Sequence, residues 1–265
     1  MRVTYRQQNV RDYWTKRWDC IPADAPMENT DIYPLKYAEL TIKSKDGRIL
    51  EAGCGAGRIL RYYNNRGYDI VGIDFVKGAV EKLKEIDPGL NVEVGDITRL
   101  RFGENSFKYI LSFGLYHNLE HGLDKALRET YRVLEPGGGV CASFRADNIQ
   151  TRLTDWLADY RNKKKAGITH ATEFHKMNLK RSEFVDIFNR AGFKVGKVFH
   201  VENMPIFYKF RFFRSQSHKT FNENLARAEG YRLSPFGNTI QKILIRYFPD
   251  QFCNIYVAIA QKPEG

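Results

Sequence analysis

Seven residues carry the first chemical signal. In Glu51-Ala-Gly53-Cys-Gly55-Ala-Gly57 a carboxylate stands two positions ahead of three alternating glycines. Glycines at that spacing let the backbone turn tightly and approach a ligand with no Cβ in the way, as a nucleotide-like ligand requires. The dinucleotide fingerprint G-x-G-x-x-G would put glycine or alanine at position 58, where this chain has Arg58. The pattern therefore points to a cofactor without a pyrophosphate and opposes a nicotinamide-dependent oxidoreductase, the rival from another enzyme class. Two further carboxylates sit where strands should end. Asp74 is positioned to accept both hydroxyls of a ribose. Asp96 is positioned to take an adenine amino group while Ile97 covers the ring. For Asp96 alone, a turn or helix-cap role stays open.

The groups able to move a proton come later in the chain. His117, in Ser112-Phe-Gly-Leu-Tyr-His117-Asn-Leu-Glu, titrates near neutral pH and is the first candidate general base. A structural histidine that holds its loop is the other reading. His170-Ala-Thr-Glu173-Phe-His175 is a second candidate group, with a solvated polar loop as the plain alternative. The i, i+5 spacing of its histidines fits no common ligand set, so no metal is expected. The four cysteines, Cys20, Cys54, Cys141 and Cys253, lack C-x-x-C spacing, which argues against a zinc site or a disulfide framework. With no apolar leader at the N-terminus, the expectation is a reduced, cytoplasmic protein.

These residues need elements to hold them. Residues 48–53, 69–75, 91–97, 107–113 and 140–144 read as strands; residues 57–66, 79–86 and 123–134 between them read as helices. Such alternation with short connections is the signature of a parallel sheet with crossover helices. The rhythm breaks at a polar, basic stretch, residues 147–179, expected to be a loop. A helix at 181–191, a strand at 193–201 and a last strand at 253–260 complete the pattern. Residues 203–250 are too many for a structureless connection in a compact domain. Ile240, Ile243, Leu244, Tyr247 and Phe248 recur there at helical spacing after a possible Asn238 cap, so this insert is expected to be helical.

Composition sets the outer bounds. At 265 residues and 43% hydrophobic, the chain can bury a substantial core. Its net charge of +11 is uneven: residues 151–200 carry eleven basic and five acidic side chains. That balance suits an acidic substrate, nucleic acid or an anionic membrane surface, and equally an ordinary solvated face.

The run Ile49-Leu-Glu-Ala-Gly-Cys-Gly-Ala-Gly-Arg58 resembles motif I of class I S-adenosylmethionine-dependent methyltransferases. Val71-Gly-Ile-Asp74, Gly95-Asp-Ile97 and Glu129-Thr-Tyr-Arg-Val-Leu-Glu-Pro-Gly-Gly138 resemble the family's later motifs in order and distance. The nearest subgroup holds the quinone-biosynthesis and other small-molecule enzymes. The resemblance implies a Rossmann-like, doubly wound seven-stranded α/β sheet, mostly parallel with the last strand antiparallel. It implies S-adenosyl-L-methionine as cofactor. Glu51, Gly53, Gly55 and Gly57 would surround the methionine half. Asp74 would hold the ribose, Phe75 would lie beside the adenine, Asp96 and Ile97 would hold that base, and Ser112 and Phe113 would sit under the sulfonium. His117, His175 and Glu173 would be the catalytic candidates.

The expected reaction is methyl transfer to a small-molecule acceptor, with an oxygen nucleophile favoured. The segment after the fourth strand lacks the (Asn/Asp)-Pro-Pro-(Tyr/Phe) box of enzymes that methylate base amines, which counts against nucleic acid. An RNA- or protein-directed enzyme is the alternative. The acceptor could be acidic or lipid-linked. A single domain, residues 1–265, is expected: an N-terminal helical arm (1–47), a core (48–202), a helical insert or lid (203–250) and a last strand (251–265). Arm aromatics Tyr13, Trp14 and Trp18 would form one helix face, and Tyr33-Pro34 would line the acceptor pocket. Within the insert, Phe207-Tyr-Lys-Phe-Arg-Phe-Phe-Arg214 interleaves aromatic and basic residues. It reads first as a lid over the acceptor, then as a peripheral membrane contact, and last as a single-strand stacking surface.

Overall fold

The computed structural model describes residues 1–166 and 171–264. In chain order its strands are β1 (Arg2–Arg6), β2 (Ile49–Ala52), β3 (Ile70–Asp74), β4 (Val92–Val94), β5 (Phe107–Ser112), β6 (Leu134–Arg145), β7 (Glu173–Asn178), β8 (Lys194–Val201) and β9 (Ile255–Gln261). The α-helices are α1 (Val10–Asp19), α2 (Leu35–Thr41), α3 (Arg58–Asn64), α4 (Lys77–Ile86), α5 (Leu123–Val133), α6 (Ile149–Ala166), α7 (Arg181–Arg190), α8 (Glu223–Glu229), α9 (Pro235–Tyr247) and α10 (Pro249–Phe252).

Seven strands form one sheet in the order β4-β3-β2-β5-β6-β9-β8. All pairings are parallel except those of β9, which runs antiparallel to both neighbours. Every residue of β2 and β3 is buried. A strand covered on both faces needs a continuous apolar run rather than alternation, and Ile49-Leu50 and Ile70-Val71 supply one. Successive residues then serve opposite layers. Leu50, Val71, Ile110 and Val140 pack toward α5 and α7 with Leu127, Phe184 and Phe188. Ile49, Ile70, Leu111 and Cys141 pack toward α2, α3 and α4 with Ala38, Leu60 and Leu83. The strand order turns back at β2, so a crevice opens beyond the carboxyl ends of β2 and β5, the place where such sheets bind ligands.

Three expectations need correction. Residues 147–179 are not a loop: they hold α6 and β7, and β7 pairs antiparallel with β1 as a separate two-stranded sheet. The third strand ends at Val94 rather than position 97, because Asp96 Oδ1 accepts from Thr98 N at 2.8 Å and closes a turn. The helix at 240 is capped by Ser234, whose Oγ accepts from Gly237 N with Pro235 at the first turn, and not by Asn238. Pro is favoured there because its missing N–H has no partner to lose. Among the described residues, no helix is long and apolar enough to cross a membrane.

Candidate functional site

Two cavities meet at Gly53, over the ends of β2, β3 and β5. One, of about 700 Å³, is walled by Gly53, Asp74, Phe75, Asp96, Ile97 and Leu115. The other, of about 490 Å³, runs from Glu51 and Gly53 past Phe113 and Tyr33 to Glu202 and Tyr231.

The three motif glycines answer three different demands. Gly53, at φ 76°, alone lines both cavities. At Gly55, φ 52°, a Cβ would fall 2.4 Å from Cζ2 of Trp18, so this glycine makes room for the arm rather than directly for a ligand. At Gly57 the chain takes the left-handed conformation that starts α3, and a Cβ would meet Leu83 of α4 at 2.6 Å. Only Gly53 therefore touches the cavity space that the motif predicted for all three.

Asp74 is buried, and its carboxylate is already engaged: Oδ2 accepts from Gly55 N at 2.8 Å and Oδ1 from Val76 N at 2.9 Å. It fixes the glycine turn while facing the larger cavity, with a second lone pair on each oxygen left for a ligand. Asp96 is exposed at the cavity rim. Its Oδ1 accepts from the Thr98 backbone and hydroxyl, so the turn role and a wall role coexist. Ile97 is buried and Phe75 half-buried, with the Arg11 guanidinium 5.8 Å from the Phe75 ring. Ser112 is fully buried and lines neither of these cavities, whereas Phe113 forms a wall, edge-on to Tyr33 at 5.7 Å.

Glu51 gives the sharpest electrostatic clue. It is buried in the wall of the smaller cavity, its Oε2 has no hydrogen-bond partner, and burial beside Asp74 pushes its pKa up to about 8. A buried carboxylate without a partner is costly unless something cationic reaches it. A ligand ammonium supplies that partner, and Gly53 supplies the open approach. The residues present thus fit a cofactor with an amino-acid end in the smaller cavity and a nucleoside end in the larger.

The three proton-transfer candidates lie outside both cavities. His117 is buried against Phe144, ring centroids 5.8 Å apart, with Nδ1 unpartnered. Burial, with Arg145, Lys176 and His175 nearby, holds it well below the usual histidine range. His175 is pushed down to about 3, first by burial and then by Lys176 and Arg6. The fold does bring these two histidines together. His175 is carried on β7 itself, because 173–178 is a strand, and His117 sits in the 116–118 turn packed against it. Glu173 opens that strand opposite Arg6 and is exposed. His170 falls outside the described residues.

Sequence reasoning missed several side chains that line the smaller cavity. Glu202 follows β8 at the same sheet edge, and burial pushes its pKa up to about 7. A carboxylate just past a strand end was the available signal, the same one that marked Asp74. Arg58 donates to the Arg227 carbonyl at 2.6 Å and is pulled down to about 10 by burial and by Arg227. Tyr33 and Pro34 line this cavity, as the arm reading expected. The Tyr33 hydroxyl shares a 2.9 Å hydrogen bond with Ser143 Oγ, which also accepts from Gly114 N. From the insert, Ala226, Arg227 and residues 229–232 close the far side.

Residues 49–138 match the family model described as a methyltransferase domain. The chain is 38% identical over 99 residues to a demethylmenaquinone methyltransferase of Renibacterium salmoninarum, covering 37% of this chain and 41% of that protein. It is 26% identical over 127 residues to a ubiquinone biosynthesis O-methyltransferase of Pseudomonas fluorescens, covering 46% and 55%. It therefore spans about half the length of these curated relatives. A solved SAM-dependent methyltransferase of Methanosarcina mazei superposes with TM-score 0.57 at 19% identity, over 88% of this chain and 99% of that one.

Proposed function

We propose that this chain, a class I S-adenosylmethionine-dependent methyltransferase in its fold and its cofactor-binding segment, methylates a small molecule held in the cavity between Phe113 and the insert. The observation that carries the reading is the unpartnered Glu51 oxygen where the two cavities join at Gly53. When bound, the cofactor supplies an activated methyl carbon. Glu51 holds its ammonium, Asp74 and Asp96 hold the nucleoside end, and Ile97 and Phe75 flank the base. Trp18, stacked on Trp14 at 5.3 Å, and Tyr33 exclude water above the junction.

The acceptor side supports an oxygen nucleophile on a ring of modest size. A cavity of about 490 Å³ matches a small molecule and not a folded macromolecule. Tyr33, Tyr37, Phe113 and Tyr231 offer faces to such a ring, while Arg17, Lys36, Arg58 and Arg232 suit an acidic group on it. Glu202, ionising near neutrality, is the side chain placed to take the acceptor's proton; the histidines face elsewhere. Close placement of acceptor and methyl carbon supplies most of the remaining rate.

Calorimetric titration with S-adenosylmethionine and with NAD, followed by incubation with methyl-labelled cofactor and a panel of phenols, hydroxy acids and lipid-linked quinols, tests this reading. Label in a small acceptor is the expected result. Label in RNA or protein with none in the panel would replace the acceptor assignment.

A further inference from the structure

The sequence spacing places an apolar stripe on the helix near 240; in the structure Ile240 and Leu244 are half-buried, while Ile243, Tyr247 and Phe248 are exposed. On α9 the buried residues are Gly237 and Gln241, and a Cβ on Gly237 would meet the Phe213 carbonyl at 2.9 Å. The opposite side carries Phe236, Ile243 and Tyr247, all exposed. A second stripe lies on α6, where Ile149, Leu153, Trp156 and Tyr160 recur at spacings of four, three and four and are likewise exposed. Trp156 and Tyr160 stack on each other at 6.0 Å, and Trp156 is 61% exposed.

The helices that carry the two stripes are tied together through α10. Asn148 Nδ2 donates to the carbonyls of Asp250 and Cys253, and Ile149 N donates to Gln251 Oε1, which ties the start of α6 to α10 at the end of α9. Phe248, between α9 and α10, is exposed, as is Ile149 at the start of α6. Monomeric soluble surfaces seldom gather this many large apolar side chains without a partner.

The charge beside the stripes selects that partner. α9 contains no acidic residue, and its two cations, Lys242 and Arg246, are exposed along one flank of the stripe. Among the described residues neither is paired with a carboxylate. Apolar side chains with tryptophan and tyrosine among them, bordered by lysine and arginine, suit the headgroup layer of an anionic bilayer. A second copy of the chain would bring the same positive border against this one.

We infer that the joined outer faces of α6 and α9 dock this protein on an anionic lipid bilayer. The surface does not depend on the identity of the acceptor. Because Ala226, Arg227 and residues 229–232 wall the acceptor cavity and α9 begins at Pro235, docking would hold the cavity's insert side close to the lipid.

Vesicle sedimentation with the full chain tests this, using phosphatidylcholine vesicles with and without phosphatidylglycerol. Binding should need phosphatidylglycerol and weaken with added salt. The doublet Trp156→Ser with Tyr247→Ser should lower binding by about tenfold or more, since two interfacial aromatic side chains are lost. Its circular dichroism and S-adenosylmethionine affinity should match the parent. Lys242→Ser with Arg246→Ser should weaken the salt dependence. Absence of cosedimentation, or undiminished binding by the aromatic doublet, would overturn the inference. So would analytical ultracentrifugation showing a dimer that Trp156→Ser dissociates, because a second copy would then cover this face.

Discussion

The two cavities that share Gly53 are built in opposite ways. The larger is made mainly by turns that each follow one strand: Gly53 after β2, Asp74 and Phe75 at the end of β3, Asp96 and Ile97 after β4. These residues lie within a few positions of the strands that carry them, so local sequence specifies most of the geometry, and Val10 and Arg11 of the arm with Leu115 and residues 118–121 after β5 complete the wall. The smaller cavity is assembled from the arm, the β2 turn, the segment after β8 and the insert, up to some two hundred positions apart. A ligand common to many enzymes can be held by a compact local device, whereas a ligand particular to one enzyme needs walls that vary independently.

The largest effect that would test this contrast falls on the acceptor side alone. Glu202→Gln should lower turnover by about 10²–10⁴ and remove an acid limb near pH 7 from the rate profile, while cofactor affinity stays at the parent value. Activity is lost on the acid side because the carboxyl that accepts the proton is then already protonated. Steady-state kinetics across pH, with calorimetry on the same variant, would check it. Parent-like turnover would remove the base role from Glu202.

A change at Gly55 should cross the boundary between the cavities. Gly55→Val puts a β-branched side chain at φ 52° and drives it into Trp18, so the arm should lift. A loss of roughly 1–3 kcal/mol in stability is expected from the backbone strain, with weaker cofactor binding alongside. Pairing it with Trp18→Ala should relieve the clash and leave the strain, so thermal melts of the two variants separate the causes. A parent-like melting temperature for Gly55→Val would mean that the arm does not lean on the glycine turn.

The smallest effect should come from Tyr33→Phe. It removes the hydroxyl bonded to Ser143 and keeps the ring against Phe113. About 1 kcal/mol of stability should go, with a shift of a few-fold in acceptor KM and none in cofactor affinity. A change in cofactor affinity as large as that in KM would show that the two cavities are less separate than their construction implies.

The same contrast decides what could be read from sequence. The seven-stranded sheet was legible because buried parallel strands are continuous apolar runs punctuated by glycine turns, as at 49–57 and 70–75. The β1–β7 ribbon was not. Its strands pair across more than 160 positions, and the inward residues of β7, Phe174, Lys176 and Asn178 among them, mix apolar with polar side chains and give no alternation to detect. That hidden strand also carried Glu173 and His175 away from the acceptor space. On α9 the periodicity was real, but a period says only that a helix has an apolar face; Gly237 against Phe213 determines which way that face turns. Glu202 was passed over because a lone carboxylate after a valine forms no motif.

The most direct test of the central claim, that Glu51 holds the cofactor's ammonium at the junction, is one calorimetric comparison of Glu51→Gln with the parent. Folding raises the Glu51 carboxyl from about 4.5 to about 8, so the ligand-free parent retains a proton that its unfolded chain releases. The stability this group contributes is full below about pH 4.5 and is lost as pH rises through 8. The variant has no such group and should be the more stable of the two at pH 9 without ligand. S-adenosylmethionine should nevertheless bind the variant about 10- to 100-fold more weakly, the loss of one charge-assisted hydrogen bond. Equal affinity for both proteins, or NAD binding where S-adenosylmethionine does not, would contradict the account.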